Sequence, residues 1–404
     1  MSSLLSNFFG KKEVRALGID VGTSAIKIVE LYTENGRVHL ETYGSIALGP
    51  YADIEIGKAT NLPLDKIQEA LHKVISDSGA VAQEAGVAIP ISSSLVSVIR
   101  IPKVSEKQLE QIIPMEARKY IPASLDEVTL DWSVMETQAD IPVSAQKVES
   151  ERTEESSEDT SAQEVESEQG QEAKEENSGP PQQQQGKEGA EQIDVLLAAI
   201  HNESIERYQQ LIQDTSLEVS FYEIEIFSTL RALSPISGNA PMAIVDIGAR
   251  SSKVYIIEQG VVRSSHTVNH GSQDITRVVS HALNISEEEA EMVKRDIGTG
   301  GTHPHVAEAV NGVLDRLFSE VSRLIGAYEE KRSRSMEKVV LSGGGSALKG
   351  IKTEAQEKLS ENVVLAQPFD RVKSQPFMKE TLSHIGPEFT TALGIALRAV
   401  GVEE

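Results

Sequence analysis

The residues with the clearest capacity for chemistry lie near the start of the chain. Asp20 ends an apolar run, and Gly22, Thr23 and Ser24 follow before a second apolar run begins at Ala25. Glycine and small hydroxyl residues let a tight turn present backbone N–H groups and hydroxyls to an anion. The segment therefore predicts two strands joined by an anion-binding turn, although an ordinary β-hairpin with a glycine turn has a similar pattern.

A second copy of this pattern occurs far downstream. Asp246 ends an apolar run, Gly248 stands two residues later, and Arg250, Ser251 and Ser252 lead into the next apolar run. A further strand is predicted after each copy. A repeat at this scale indicates two halves of related structure. The duplication favours the anion-binding interpretation over the ordinary hairpin.

A glycine loop follows another apolar run, at residues 339–342. It comprises Gly343, Gly344, Gly345 and Ser346, and a helix is predicted to start near Leu348. Glycines after a strand let a purine and its ribose approach the backbone closely. Alone this is a weak signal, but the ordered set of two hairpins and a glycine loop is far more specific.

Two such hairpins facing each other form a clamp on a polyphosphate, because each supplies N–H groups and hydroxyls to one side of it. Asp20 and Asp246 repel each other unless a cation lies between them. A Mg²⁺ ion that keeps most of its waters is the expected occupant. Lys27 and Arg250 are expected to neutralise phosphate oxygens.

One long segment differs in composition from the rest of the chain. Residues 138–191 are rich in Glu, Gln and Ser, and residues 140–191 carry 15 acidic and 4 basic side chains. Such a segment cannot bury enough apolar surface to offset its ordering entropy. We expect a disordered acidic insert within the loop of a hairpin, between strands predicted at residues 128–135 and 193–200.

The overall composition excludes several classes of protein. With 404 residues, two or more domains or subdomains are expected. The absence of cysteine excludes disulfides, thiolate metal sites and cysteine nucleophiles. A net charge of −24 argues against non-specific nucleic-acid binding. No apolar run is long enough to span a bilayer, and residues 1–13 predict a flexible segment without a secretory signal.

With these motifs in this order, the chain resembles the actin-like ATPase superfamily, which includes actin, heat-shock-70 chaperones, sugar kinases and FtsA. The resemblance implies that residues 20–27 are the phosphate 1 motif, residues 246–252 the phosphate 2 motif and residues 341–348 the adenosine motif. It implies ATP with Mg²⁺ as ligand. It also implies an α/β, actin-like (ribonuclease-H-like) duplicated two-domain fold with a small inserted α+β subdomain in the first half.

The same resemblance implies the division of the chain. Subdomain 1A comprises residues 14–90 and 223–238, and the inserted subdomain 1C comprises residues 91–222, interrupted by the acidic insert. Subdomain 2A comprises residues 239–273 and 336–404, and subdomain 2B residues 274–335. Two connecting helices, residues 225–233 and 388–398, are expected to pack at the hinge.

Glu291 and Lys294 resemble residues of the helix that borders the adenine and ribose in this superfamily. The alternative is an ordinary solvated helix face, since most charged side chains are exposed. Both interpretations remain open from the sequence.

Within the superfamily the resemblance is strongest to the PilM family of type IV pilus assembly. The segments that carry it are residues 8–12, 18–24, 113–122, 126–131 and 271–276. It covers nearly the whole chain except the acidic insert. The C-terminal residues differ from FtsA, because they form no amphipathic membrane helix.

The resemblance implies an ATP-binding cytoplasmic scaffold in the inner-membrane assembly platform of a pilus or a related secretion machine, with slow turnover at most. Its expected partner is the N-terminal cytoplasmic tail of PilN, a bitopic inner-membrane protein, bound in a groove between the first-half core and the inserted subdomain. That tail tethers the protein under the membrane. Other platform proteins and self-association are further expected contacts. Arg118, Lys119 and Tyr120 are the candidate groove residues, with an ordinary polar helix end as the alternative.

Two other functions fit the same fold. A small-molecule kinase needs a general base, usually a carboxylate, and only Glu225 near the hinge is a candidate. A filament-forming ATPase like FtsA is the other alternative, and the missing membrane helix disfavours it. No catalytic residue is assigned from the sequence.

Overall fold

The computed structural model describes residues 13–135, 192–233, 240–300, 304–359 and 362–402. The expectations for the N-terminal segment up to residue 12 and for the acidic insert 138–191 lie outside the described residues. Within the described ranges, no helix is both long and apolar enough to cross a bilayer.

The first part of the chain forms eight strands and four helices among the described residues. They are β1 (Arg15–Val21), β2 (Ala25–Glu34), β3 (Arg37–Ala47), α1 (Leu64–Ser78), β4 (Glu84–Ile89), β5 (Ser94–Pro102), α2 (Glu106–Ala117), β6 (Val128–Val134), β7 (Gln192–His201), α3 (Asn202–Ile212), β8 (Glu218–Ile224) and α4 (Glu225–Leu233). Gln108 caps the start of α2, because its Oε1 accepts a hydrogen bond from the Ser105 N–H at 3.1 Å.

The second part forms five strands and six helices among the described residues. They are β9 (Met242–Ile247), β10 (Ser252–Glu258), β11 (Val261–Val268), α5 (Ser272–Leu283), α6 (Glu287–Ile297), α7 (Pro304–Arg332), β12 (Lys338–Ser342), α8 (Ile351–Leu359), β13 (Val363–Leu365), α9 (Lys379–Ile385) and α10 (Thr390–Ala399). The helix predicted to start near Leu348 is α8, whereas β13 and α9 were not predicted. β13 has three residues, too few for a hydrophobic pattern to reveal it.

The two halves repeat one sheet topology. The first sheet has the order β3-β2-β1-β4-β8 and the second the order β11-β10-β9-β12-β13. In both, three antiparallel strands come first and two parallel strands complete the sheet. The duplication predicted from the two motifs is confirmed, and the fold is α/β and actin-like.

A third sheet, of order β5-β7-β6, is inserted in the first half. β6 pairs antiparallel with β7, with Val134 opposite Val195, so the acidic insert joins neighbouring strands as predicted. Leu109, Ile113 and Ala117 of α2 pack on one face of this sheet. Val96, Ala198 and Ile200 join a core with α4 and the second sheet.

The hinge is formed by α4 and α10, which pack closely as predicted. A β-carbon at Gly394 would lie 1.8 Å from the Ser228 carbonyl oxygen, and one at Gly18 would lie 2.0 Å from the carbonyl oxygen of Ala392. Only glycine permits these backbone contacts, which place α10 against both α4 and β1. The helix begins at Thr390 rather than at residue 388, because a 3₁₀ turn, Gly386–Phe389, precedes it.

Candidate functional site

A cleft lies where the turns of the two halves meet. Its cavity has a volume of about 520 Å³. Eleven of the residues predicted from the sequence line it, namely Asp20, Gly22, Thr23, Ser24, Lys27, Asp246, Gly248, Arg250, Ser251, Gly343 and Gly344. Residues far apart in the chain are therefore brought to one place by the duplicated fold.

The two turns have equivalent backbone geometry. The N–H of Gly22 donates to the Ala25 carbonyl at 3.0 Å, and that of Gly248 donates to the Ser251 carbonyl at 3.1 Å. Asp20 lies opposite Lys27 across the first hairpin, as Asp246 lies opposite Lys253 across the second. Each turn thus places one carboxylate and one ammonium on neighbouring strands at the cleft.

The glycine loop packs directly on the second aspartate. Gly343 has a φ of +81°, and a β-carbon there would lie 2.2 Å from the Asp246 carboxylate and 2.6 Å from the Ile247 carbonyl. Its N–H donates to the Pro387 carbonyl at 2.8 Å. Only a residue without a side chain fits between these groups, so the loop and the second hairpin form one surface.

Burial controls the charge of the two aspartates. Desolvation raises the pKa of Asp20 to about 6; Lys27 and Lys253 oppose this, while Glu225 and Asp246 add to it. Desolvation also raises the pKa of Asp246, against the effect of Lys253 and Lys27. The carboxylates lie close enough to repel each other, and each is stabilised by a cation.

Lys253 is a cleft residue that the sequence interpretation missed. Its Nζ lies 2.9 Å from Glu225 Oε2 and 3.8 Å from Asp246 Oδ2. Burial opposes its charge, but Glu225 and Asp246 outweigh burial and raise the Lys253 pKa above its ordinary value. The signal was present, because Lys253 follows Asp246 by the same spacing with which Lys27 follows Asp20.

Four residues that were predicted to bind the nucleotide do not line the cavity. They make local hydrogen bonds or packing contacts instead. Ser252 is fully buried and donates its hydroxyl to the His270 carbonyl at 2.7 Å. The Ser346 hydroxyl donates to the Gly343 carbonyl at 2.7 Å. Gly345 packs against Ile247, and Leu348 joins the core of the second half.

Glu291 and Lys294 also lie outside the cavity lining, but they do not form a solvated helix face. They are 6% and 7% exposed, and the Lys294 ammonium lies 2.5 Å from Glu291 Oε2. Thr276 donates to the same carboxylate oxygen at 2.7 Å. The alternative of an ordinary exposed face is therefore wrong, and Glu291 also packs against Gly57 of the first half, where a β-carbon would lie 2.9 Å from its carboxylate carbon.

Helix α3 follows the inserted sheet, packs on the first-half core through Leu211 and Ile212, and reaches the cleft, which the sequence did not predict. Tyr208 and Arg207 line the cavity, and the pKa of Tyr208 is raised by desolvation and by the charges of Asp20 and Glu225. A groove of about 600 Å³ between residues 61–64 and α3 continues from the cleft. The two cavities share Asn61, Leu62, Leu64, Glu203 and Arg207.

The three predicted partner-groove residues lie at the exposed end of α2. Lys119 forms an ion pair with Glu116 at 2.8 Å, and Tyr120 is 45% exposed. Arg118, Lys119 and Tyr120 line neither the cleft nor the groove beside α3.

The described residues contain no group of three or more His, Cys, Asp or Glu side chains arranged to hold a metal ion. Asp20 and Asp246 are the two carboxylates that this chain would offer to a divalent cation. They would hold it through water molecules, with phosphate oxygens as its other ligands.

Two known proteins resemble this chain, one in sequence and one in fold. The chain is 28% identical over 160 residues to the cell division protein FtsA of Bacillus subtilis (strain 168), a match to 34% of the chain and 36% of FtsA. It therefore matches only about a third of the length of this relative. The solved PilM-PilN type IV pilus biogenesis complex is similar in fold, with a TM-score of 0.70 and 24% identity over 95% of this chain and 98% of that one.

A model of one protein family matches nearly the whole chain. The match covers residues 18–164 and 183–400, and therefore both halves, the inserted sheet and all three cleft motifs. With its duplicated sheets and the cleft between them, the chain belongs to the family of the type IV pilus assembly protein PilM.

Proposed function

We propose that the protein is an ATP-binding cytoplasmic scaffold of the type IV pilus inner-membrane assembly platform. Membership of the PilM family supports the pilus assignment. The observation that carries nucleotide binding is the cleft itself, in which two duplicated turns and a glycine loop converge on one cavity. Backbone N–H groups at such turns are suited to phosphate oxygens.

The cleft residues have distinct roles in this proposal. Thr23, Ser24 and Ser251 bind phosphate oxygens, and Lys27 and Arg250 neutralise them. Gly343 and Gly344 admit the ribose and purine, and the Glu291–Lys294 ion pair holds α6 beside α5 through Thr276. When Mg²⁺ is bound, it supplies charge neutralisation between the phosphates, and Asp20 and Asp246 hold it through water.

Turnover is slow at most in this proposal, because the carboxylate that the sequence offered as a general base is held by other groups. Glu225 is the sequence candidate, and both its oxygens are engaged. Oε1 accepts the Ile91 N–H at 2.8 Å and Oε2 accepts the Lys253 ammonium at 2.9 Å. A carboxylate held in this way is poorly placed to accept a proton from a hydroxyl or water.

The proposed partner is the cytoplasmic tail of a PilN-like membrane protein, which places this protein at the inner face of the membrane. PilN is the partner in the solved complex of similar fold. The groove lies between residues 61–64 and α3, which packs on the first-half core through Leu211 and Ile212, and it shares Arg207 with the cleft. Tail and nucleotide therefore meet at α3, with the α2 end as a second candidate surface.

A binding experiment with synthetic tails tests the proposal. Tails of candidate membrane partners are titrated against the protein with and without ATP. Gln210→Trp is expected to weaken tail binding about tenfold or more, because a bulky side chain fills the groove at an exposed position outside the cleft. Tyr120→Ala and Lys119→Ala test the α2 surface in the same assay. Equal binding of the tail to all variants, or no binding of ATP, would contradict the proposal.

A further inference from the structure

A short loop of the first half reaches the second half beside the cleft. This loop, residues 55–60, lies between a 3₁₀ turn (Gly49–Ala52) and α1, and we call it the strap. Lys58 forms an ion pair at 3.1 Å with Glu287, the first residue of α6. The N–H of Ala59 donates to Gln273 Oε1 on α5 at 2.8 Å. Two helices of the second half therefore hold a loop of the first half.

The backbone of the strap also packs directly on α6. Gly57 has a φ of +92°, and a β-carbon there would lie 2.9 Å from the carboxylate carbon of Glu291. That carboxylate is fixed in turn, because Thr276 and Lys294 both donate to its Oε2. Only glycine combines this backbone conformation with so close an approach, so the strap fits this surface of α6.

The strap is tied to both turns of the clamp. Thr60 donates its N–H at 2.8 Å and its hydroxyl at 3.0 Å to the Thr23 carbonyl in the first turn. Gln273, which accepts the Ala59 N–H, donates its own N–H to the Ala249 carbonyl in the second turn at 3.0 Å. Ala59 and Thr60 are consecutive, so a series of hydrogen bonds links one turn to the other through the strap. The two turns can separate only when this series is broken.

The other connections between the two halves are more apolar than the strap. Val96, Ala198 and Ile200 of the inserted sheet share a core with the second sheet, and α4 packs backbone to backbone on α10. The contacts of the strap are polar, and the side chains of Lys58 and Glu287 are 26% and 25% exposed. Segments with few buried apolar contacts open at the lowest free energy. We therefore expect the cleft to open at the strap.

We propose that the strap is a gate for nucleotide exchange, which must detach from α5 and α6 before ATP enters or leaves the cleft. The inference rests on the proposed nucleotide binding. Lys58, Gln273 and Glu287 do not line the cavity, so they control the rate of exchange without contacting the ligand. Weakening their contacts raises the open fraction of the strap. Entry and exit then accelerate by the same factor, and the dissociation constant stays unchanged.

A covalent link across the strap is the first test. The chain contains no cysteine, so Lys58→Cys/Glu287→Cys carries the only two thiols, which a short bis-maleimide joins. When the link is formed first, labelled ATP added briefly should bind about tenfold less than to the unlinked variant. When ATP is added first, the linked protein should retain it through desalting and a chase with unlabelled ATP. The two single-cysteine variants, treated with the same reagent, should exchange ATP freely.

Rate constants measured by stopped flow with a fluorescent ATP analogue are the second test. Glu287→Gln removes the charge on α6 but keeps the Lys58–Glu55 ion pair of 2.8 Å within the strap. It should raise the association and dissociation rate constants about fivefold each, the value of one partly exposed ion pair, with the dissociation constant within about twofold of the parent. Glu55→Gln is the matched control, because it leaves the pair with Glu287 in place and should raise neither rate constant.

The outcomes separate the gate from the nucleotide site. A linked protein that exchanges ATP as fast as the unlinked variant overturns the inference. Glu287→Gln overturns it as well if it changes neither rate constant or only the dissociation rate constant, which is the signature of a lost ligand contact. Lys58→Met breaks the same ion pair from the strap and keeps the test valid if Glu287→Gln fails to fold. A parent that binds neither ATP nor the analogue overturns the nucleotide site and the inference with it.

Discussion

The two Asp-x-Gly hairpins follow one backbone pattern but are held by different neighbours. In the first, Thr60 donates its N–H at 2.8 Å and its hydroxyl at 3.0 Å to the Thr23 carbonyl. In the second, the N–H of Ser272 at the start of α5 donates to the Gly248 carbonyl at 2.9 Å. A loop therefore anchors the first turn, and a helix N-terminus anchors the second.

The lysines of the two hairpins differ in the same way. Lys27 lies 4.0 Å from Glu388, whereas Lys253 is held at 2.9 Å by Glu225 and lies near Asp246. Identical spacing within each hairpin thus fixes where the charges lie. The neighbours contributed by other elements decide how closely each charge is held, and Lys253 is held more closely than Lys27.

The largest expected effect comes from the glycine loop, which packs on the second hairpin and not on the first. Gly343→Ala should lower the free energy of unfolding by about 3 kcal/mol, because it combines a positive φ with a clash against Asp246 and Ile247. Gly344→Ala is the matched control, since the nearest atom to its β-carbon is 3.9 Å away. It should change stability by less than about 0.5 kcal/mol.

Urea unfolding of the two variants and the parent measures this difference. If Gly343→Ala were as stable as Gly344→Ala, the packing of the loop on the second aspartate would be wrong.

A smaller effect is expected from the charge of the first aspartate. Folding raises the pKa of Asp20 from 3.8 to about 6, so the folded state binds the proton more tightly than the unfolded state. Stability from this group is therefore present below about pH 4 and is lost as the pH rises to about 6. Asp20→Asn removes the charge, and it should be more stable than the parent by about 2 kcal/mol at pH 8.

Thermal unfolding of the nucleotide-free protein across this pH range measures the effect. The advantage of Asp20→Asn should shrink as the pH falls towards 4, where Asp20 of the parent is protonated in the folded state. A variant less stable than the parent at pH 8 would show that Lys27 and Lys253 outweigh the desolvation of Asp20.

The smallest effects compare the hydroxyl anchors of the two turns. Ser252→Ala removes a buried donor to the His270 carbonyl and should lower the free energy of unfolding by about 1 kcal/mol. Thr60→Val should lower it by less than about 0.5 kcal/mol, because the bond is exposed and the Thr60 N–H still donates to Thr23. If urea unfolding showed the same loss of stability for Ser252→Ala and Thr60→Val, the buried hydroxyl would be no stronger an anchor than the exposed one.

Much of the fold and part of the site were predictable from local patterns. The two hairpins, the glycine loop and the strands flanking the acidic insert were predicted correctly, because alternation, apolar runs and glycine spacing are local properties. The start of α10 was placed two residues early, since proline and glycine in residues 386–387 favour a 3₁₀ turn that periodicity does not show. β13 was missed because three residues carry no period.

The sequence by itself determined that two aspartates, each with a lysine at the same spacing, would stand on duplicated hairpins. Only the tertiary structure decided that Glu225 holds Lys253, that Gly343 rests on Asp246, and that Tyr208 of α3 reaches the cleft. The physical reason is how far apart in the chain the interacting residues lie. Hairpin geometry depends on neighbours in sequence, whereas charge, burial and packing at the cleft depend on groups brought together from distant parts of the chain.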